Sequence, residues 1–369
     1  MAKSNLHKLS EAGVSVWIDY LSRDLIQEGE LERMMREDAV VGVTSNPTIF
    51  QKAISSGNTY DEQLEELLKE TDDPKELFVG LASKDVSDAC DALRPVWDEG
   101  GGKDGYVSIE VDPTLAYDTE ETVEQATRFH EEIDRPNLFV KIPATKPGLP
   151  AIEDMIAKGK SINVTLIFSL KRYTEVAEAY IRGLERLVAG GGDPSTVASV
   201  ASFFVSRVDT EADRRLDEIG GHDDLKGKLA IANAKFAYAR YKELFAGERW
   251  DFLAGHGASP QRCLWASTST KNPDYRDVMY VEELIGENTV NTMPQETIEA
   301  FQDHGNVEPG TVERDLDEAR DLLDRLAEAG VDYDDVTETL EREGVEKFAE
   351  SFKELLEGIR ATSRQLIAA

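Results

Sequence analysis

A chain of 369 residues, 40% hydrophobic and 31% charged, is long enough for one large α/β barrel with an extension or for two ordinary domains. Its formal net charge of −32 excludes a general binder of nucleic acid or of an anionic membrane surface. The only two cysteines, Cys90 and Cys263, lack CxxC spacing, which excludes a disulfide framework and a thiolate metal site and leaves two buried structural thiols as the expectation.

Along the chain an apolar, β-branched run, a polar or small residue and a helical stretch follow one another repeatedly. The first strands are predicted over 14–19 and 40–45, followed by helices over 60–69 and 75–97. Then come a strand over 106–112, a helix over 119–133, strands over 138–144 and 161–167, and a helix over 170–189. A strand over 197–205 precedes a helical stretch over 208–245, broken into two near Gly220-Gly221, and strands over 262–268 and 289–293 complete the set. The Gly-rich stretches at 99–103 and 190–194 each precede a strand and are loops within one domain rather than linkers. Eight strands alternating with helices predict a parallel (β/α)8 TIM barrel over 1–305. A doubly wound open sheet has the same spacing, but no G-x-G-x-x-G follows the first strand and no Walker sequence occurs. Residues 306–369 are helical and acidic. Val345, Phe348, Ala349, Phe352, Leu355, Leu356 and Ile359 form one apolar stripe there, predicted to pack across the barrel or against a partner subunit.

Lys141 lies in the middle of an apolar run, Leu138-Phe139-Val140-Lys141-Ile142-Pro143. An ammonium in a buried strand is disfavoured unless it is paired or used. An edge-strand lysine snorkelling to water is the commoner fate of such a residue. The functional alternative is a Schiff-base nucleophile, which requires a dry site that disfavours the charged amine.

In a parallel barrel the active site gathers at the carboxyl ends of the strands. Those ends carry Asp19, Thr44-Ser45-Asn46, Glu110, Lys141, Asn163 with Thr165, Ser202, Ser267 and Asn291. By parity Ser108, Glu110 and Asp112 share one face, as do Phe139, Lys141 and Pro143, and Asn163 with Thr165. Strands covered on both sides should be nearly all apolar, so this polar ring implies mutual hydrogen bonding around a ligand. The five histidines are scattered, with no H-x-H or H-x-x-x-H, and no G-x-S-x-G elbow is present. Metal hydrolysis and a Ser-His-Asp triad are therefore disfavoured. Amine catalysis remains, with one lysine to form an iminium, carboxylates to carry protons, and amides and hydroxyls to hold a polyol.

Five segments carry a family resemblance: Val43-Thr44-Ser45-Asn46-Pro47-Thr48-Ile49-Phe50, Ser108-Ile109-Glu110-Val111-Asp112, Val140-Lys141-Ile142-Pro143-Ala144-Thr145, Ile162-Asn163-Val164-Thr165-Leu166-Ile167-Phe168-Ser169 and Ala201-Ser202-Phe203-Phe204-Val205-Ser206-Arg207. Together, in this order, they resemble the transaldolase family, and Leu264-Trp265-Ala266-Ser267-Thr268-Ser269-Thr270-Lys271 is similar to its longer bacterial branch. The resemblance implies transfer of a dihydroxyacetone unit between sugar phosphates in the non-oxidative pentose phosphate pathway. It implies that Lys141 forms the Schiff base, that Asp19 takes the C4 hydroxyl proton, and that Glu110 and Thr165 hold a proton-shuttling water. Thr44, Asn46, Asn163 and Ser202 fall to the sugar hydroxyls and their surroundings. Arg207 matches the phosphate arginine. Many members carry a serine followed two residues later by arginine after the seventh strand, whereas this chain has Ser267 followed by Ser269, with Lys271 the nearest cation.

A related aldolase branch that releases free dihydroxyacetone carries tyrosine where this chain has Phe204, which favours transfer. A catalytically inactive barrel kept as a scaffold is the reading from another class. No cofactor and no metal are expected. The expected partners are small sugar phosphates, with no nucleic acid and no membrane, and a monomer or homodimer. Residues after Met1 are polar and charged without an apolar signal core, and no apolar run reaches membrane-spanning length, so a cytoplasmic protein is expected. The acidic excess also fits a high-salt setting, in which self-repulsion is screened.

Overall fold

Eight parallel strands pair in sequence order, the eighth closing on the first, in the computed structural model, which describes residues 4–55 and 57–368. They are β1 (Val14–Ile18), β2 (Val40–Val43), β3 (Tyr106–Glu110), β4 (Leu138–Pro143), β5 (Ile162–Ile167), β6 (Ser199–Phe204), β7 (Arg262–Ala266) and β8 (Thr289–Met293). Every strand expected from the sequence is present, and most end one or two residues early. Asp19, Thr44, Ser45 and Ser267 consequently lie just beyond their strands, where the chain turns towards the next helix. Asp112 likewise leaves the barrel face that parity gave it. Its carboxylate accepts from Lys75 Nζ at 2.5 Å and from Thr114 N at 2.8 Å.

Helices outside the barrel follow local signals. Asp73 accepts from Lys75 N at the start of the Pro74–Glu99 helix, and Pro74 takes the first helical position, where no N–H is needed. The 208–245 stretch is indeed two helices, Ser206–Ile219 and Leu229–Leu244, separated at Gly220 (φ 80°) and Gly221 (φ 83°). The short Pro47–Ser55 helix was not expected. Its signal is Asn46 before Pro47: the Asn46 side-chain oxygen accepts from Ile49 N at 3.0 Å.

The barrel interior is layered. At the N-terminal end Trp17, Tyr106 and Phe139 form an aromatic plug, with the last two rings stacked at 4.1 Å. A Cβ at Gly42 would stand 2.5 Å from the Trp17 ring, so β2 must carry glycine beside this indole. Below the plug, buried Arg262 donates to Asp104 at 3.0 Å and to Ser15 at 2.9 Å, and Trp17 Nε1 reaches the same carboxylate at 3.1 Å. Above it a polar layer begins, in which Asn163 Nδ2 donates to Ser108 Oγ at 3.1 Å.

The long C-terminal helix, Tyr333–Ala368, lies across the carboxyl-end mouth of the barrel. Of its apolar stripe, Val345, Phe348, Phe352, Leu355, Leu356 and Ile359 are buried and Ala349 is half-buried, so the packing is against the chain's own barrel. Full burial of each phenylalanine is worth about 2 kcal/mol before entropy is charged against it. Polar contacts fix the helix in place. The Tyr333 hydroxyl accepts from Leu170 N at 3.1 Å and donates to Asn233 Oδ1 at 2.6 Å, and Thr48 Oγ1 donates to Ser351 Oγ at 2.9 Å. Gly344 allows the close approach, since a Cβ there would sit 3.0 Å from Leu166. No helix among the described residues is long and apolar enough to cross a membrane.

Candidate active site

Lys141 projects into the barrel from β4, only 7% exposed, and its Nζ donates to the Ser45 carbonyl at 2.9 Å. That carbonyl is itself held in position, because Ser45 Oγ donates to the Ser108 carbonyl of β3 at 2.6 Å. Among the described residues Lys141 has no carboxylate within ion-pair distance. The position is buried and aimed, which is incompatible with a lysine snorkelling to water.

Glu110 is the register partner of Lys141 across the β3–β4 ladder. Both its carboxylate oxygens are buried without a hydrogen-bond partner, and so is Thr165 Oγ1 on β5. Buried polar atoms are nearly always satisfied, so three orphans in one layer mark a place shaped for a polar ligand. Burial pushes the Glu110 carboxyl up to about 7; Lys141 opposes this, Asp19 adds to it and Arg207 opposes it. A carboxyl titrating near neutrality can both give and take a proton.

Asp19 is oriented by a relay of hydroxyls. Thr44 Oγ1 donates to Asp19 Oδ1 at 2.7 Å and lies 2.6 Å from Thr292 Oγ1. A hydroxyl has one proton to give, so Thr292 must be the donor to Thr44. The same reasoning applies on the other side of the site. Ser202 Oγ donates to Asn163 Oδ1 at 2.7 Å, which commits its proton and leaves its lone pairs to accept from a ligand hydroxyl.

A cavity of about 820 Å³ opens above these groups. Asp19, Thr44, Asn46, Lys141, Thr165, Ser202, Phe204, Arg207, Ser267 and Lys271 all line it. Two of the residues to which the family resemblance gives catalytic or binding roles do not. Glu110 borders a separate void of about 10 Å³ beside Asn46 and Phe50, and Asn163 is fully buried behind Ser202. Asn163 thus meets the cavity through the serine it holds. A second cavity, about 700 Å³, lies at the N-terminal end beside Trp97, Tyr106 and Arg262, and contains none of these residues.

The sequence as a whole agrees with this geometry. Residues 16–359 match the family model described as Transaldolase/Fructose-6-phosphate aldolase. The chain belongs to this family. It is 54% identical to a transaldolase of Parafrankia sp. (strain EAN1pec), over 96% of this chain and 97% of that protein. It is 55% identical to one of Acidothermus cellulolyticus, over 95% and 94%, and 51% identical to one of Mycobacterium tuberculosis, over 97% and 96%.

In this member of the transaldolase/fructose-6-phosphate aldolase family, the outer part of the cavity is built on Arg207, Ser267 and Lys271. The Arg207 guanidinium lies 5.0 Å over the Phe204 ring and 5.7 Å over that of Phe348, and burial holds it below its ordinary range, with Asp19 and Glu110 opposing. Ser267 adopts φ 58°, a left-handed conformation unusual for serine, and its Oγ is 3.0 Å from Ser206 Oγ at the start of the helix that carries Arg207. Lys271 donates to Ser269 Oγ at 2.7 Å. Although the side chain is exposed, desolvation at the cavity mouth depresses its ammonium, with Glu296 opposing and Arg207 and Lys347 adding.

Sequence reasoning missed the residues that the C-terminal helix contributes to this wall, Leu340, Glu343, Gly344, Lys347 and Phe348. The apolar stripe announced a packed helix, but its spacing does not say which end of the barrel the helix covers. Thr292 was also missed, although it adjoins Asn291 on β8, because threonine is common in any strand.

Proposed function

We propose that this enzyme is a transaldolase, moving a dihydroxyacetone unit from a ketose phosphate such as fructose 6-phosphate or sedoheptulose 7-phosphate to erythrose 4-phosphate or glyceraldehyde 3-phosphate. The reading rests above all on a buried lysine, unpaired by any carboxylate, standing in register with a carboxyl that titrates near 7. In this scheme the neutral Lys141 amine attacks C2 of the ketose. Glu110, through a water shared with Thr165, protonates the departing hydroxyl to leave an iminium. Asp19 then takes the C4 hydroxyl proton as C3–C4 breaks, and the electron pair flows to the iminium nitrogen, giving an enamine and a free aldose phosphate. An acceptor aldehyde reverses these steps. Asn46 and Ser202 hold hydroxyls of the retained fragment, with Thr44 aligning Asp19 and Asn163 aligning Ser202. Arg207, Ser267 and Lys271 receive the phosphate.

Phe204 supports transfer over release. It presents a ring under Arg207 and, unlike tyrosine, offers no phenol that could pass a proton to the enamine and free dihydroxyacetone. Sugar phosphates are intracellular metabolites and both cysteines are free and buried, which supports a cytoplasmic setting. A monomer or a homodimer suits the reading equally, since one chain carries every group invoked.

Borohydride reduction in the presence of fructose 6-phosphate, followed by peptide mapping, tests the proposal. A three-carbon adduct on Lys141 is expected. An inactive scaffold would retain no label, and a label on another lysine would move the chemistry elsewhere.

A further inference from the structure

Arg207, Lys271 and Lys347 line the same cavity, and among the described residues none of the three makes an ion pair. In this chain of net charge −32 two nearby arginines are, by contrast, engaged: Arg214 is held by Glu211 at 2.8 Å and by Glu218 at 2.5 Å, and Arg215 by Glu211 at 2.7 Å. Lys347 stands one helical turn after Glu343, which lines the same cavity, and forms no ion pair with it. Glu296 attracts Lys271 without closing an ion pair, while Arg207 and Lys347 both repel it. The next residue on the helix, Phe348, is buried under the Arg207 guanidinium, so the segment that presents Lys347 also positions the arginine. Three like charges facing one cavity, none of them closed into an ion pair, are favoured where an anion joins them.

We propose that Lys347 is a phosphate-binding residue, and that the Tyr333–Ala368 helix thereby selects phosphorylated sugars over unphosphorylated ones. The inference rests on the transaldolase reading of the same cavity and extends it. It also accounts for Ser269 standing where many family members carry arginine: the missing charge comes from Lys347, more than seventy residues later in the chain. Lys271, tied to Ser269, and Lys347 then act as point charges flanking the paired donors of Arg207.

The test compares wild type with Lys347→Ala, Lys347→Glu and Lys347→Arg, and with Lys353→Ala, a cation of the same helix that faces away and pairs with Glu357. The expected loss in kcat/KM for fructose 6-phosphate is about tenfold for Lys347→Ala and greater for Lys347→Glu, with Lys347→Arg and Lys353→Ala close to wild type. Borohydride trapping of unphosphorylated dihydroxyacetone on Lys141 should proceed alike in all of them, which also shows that the variants are folded. Inorganic phosphate, titrated calorimetrically, should bind Lys347→Ala about tenfold more weakly than wild type. Undiminished phosphate binding and kcat/KM in Lys347→Ala, or equal losses with the phosphorylated and unphosphorylated compounds, overturn the assignment. Failure of the wild type to trap dihydroxyacetone overturns the Schiff-base reading instead, and the phosphate titration still decides the role of Lys347.

Discussion

Glu110 and Lys141 face each other in register on adjacent strands, yet the lysine gives its hydrogen bond to the Ser45 carbonyl at 2.9 Å and the glutamate gives or accepts none. Collapse of the two into a buried salt bridge would hold as an ammonium the amine proposed as nucleophile. Keeping them apart costs stability, because the glutamate is desolvated without compensation. That cost is the structural signature of a site held ready for substrate, and it can be measured.

The Glu110 carboxyl titrates at about 7 in the folded chain against 4.5 for an ordinary glutamate. Below pH 4.5 it is protonated in both folded and unfolded chains. Between 4.5 and about 7 the unfolded chain ionises first, so stability falls as pH rises, and above that range the loss is complete at roughly 3 kcal/mol. Glu110→Gln removes this loss. Denaturant unfolding at pH 5 and pH 8 should show the variant gaining on wild type at the higher pH. A gap that stays constant with pH would show that Glu110 is not held in its neutral form. The same variant should form the iminium on the order of 10²-fold more slowly.

Lys141→Ala should abolish turnover, with a loss of about 10⁴-fold or more, while the circular dichroism spectrum and cooperative unfolding persist. The barrel plug of Trp17, Tyr106 and Phe139 lies a layer away from the substituted side chain. Retained activity in a folded variant would remove the lysine from the mechanism.

Asp19 and Thr44 should separate chemistry from positioning. Asp19→Asn should slow C3–C4 cleavage by about 10²-fold or more and still trap an adduct on Lys141, because cleavage follows iminium formation. Thr44→Val removes the hydroxyl that joins Asp19 to Thr292, and should lower kcat by about tenfold. Single-turnover trapping distinguishes the two steps. If Asp19→Asn blocked adduct formation itself, the aspartate would belong to the earlier proton transfer.

Much of this site was legible because polar side chains are conspicuous in strands that a barrel buries on both faces. Glu110, Lys141, Asn163 and Ser202 stand out against their apolar neighbours, and strand parity places them inside. The parity argument fails beyond the end of the strand, which is why Asp112, two residues past Glu110, turned out to serve Lys75 and the Thr114 turn. Leu166, with φ 59° where the β5–β6 register shifts, was invisible for a related reason: the pairing irregularity that turns it towards Gly344 of the C-terminal helix has no composition signal. Contacts between distant segments, such as Phe348 under Arg207, depend on a docking that no local pattern specifies.

Phe204→Tyr should shift the enzyme towards release. The ring is buried beside Phe168 at 5.2 Å and beneath Arg207 at 5.0 Å, on the cavity wall, so a phenol there can reach the reacting fragment or a water bound to it. Incubation with fructose 6-phosphate and no acceptor should yield free dihydroxyacetone faster than in wild type, by about tenfold, while transfer to erythrose 4-phosphate declines. Unaltered release would place the choice between transfer and hydrolysis outside this residue.

Salt should act oppositely on the fold and on substrate binding. The charge of −32 is distributed over a surface whose exposed basic residues are largely paired already, as with Arg249 between Glu178 and Glu185, so the excess carboxylates repel one another. Screening shortens from about 10 Å at 0.1 M salt to about 3 Å at 1 M, which weakens that repulsion across the surface, and the exposed pairs lost in exchange contribute little. Melting temperature should therefore climb by several degrees between 0.1 M and 2 M KCl. Over the same range the KM for fructose 6-phosphate should rise, because the phosphate site proposed at Arg207, Lys271 and Lys347 would act by charge at the cavity mouth. A flat melting temperature would mean that the acidic surface exerts no net strain on the folded chain, and a flat KM would mean that the phosphate is held by neutral donors.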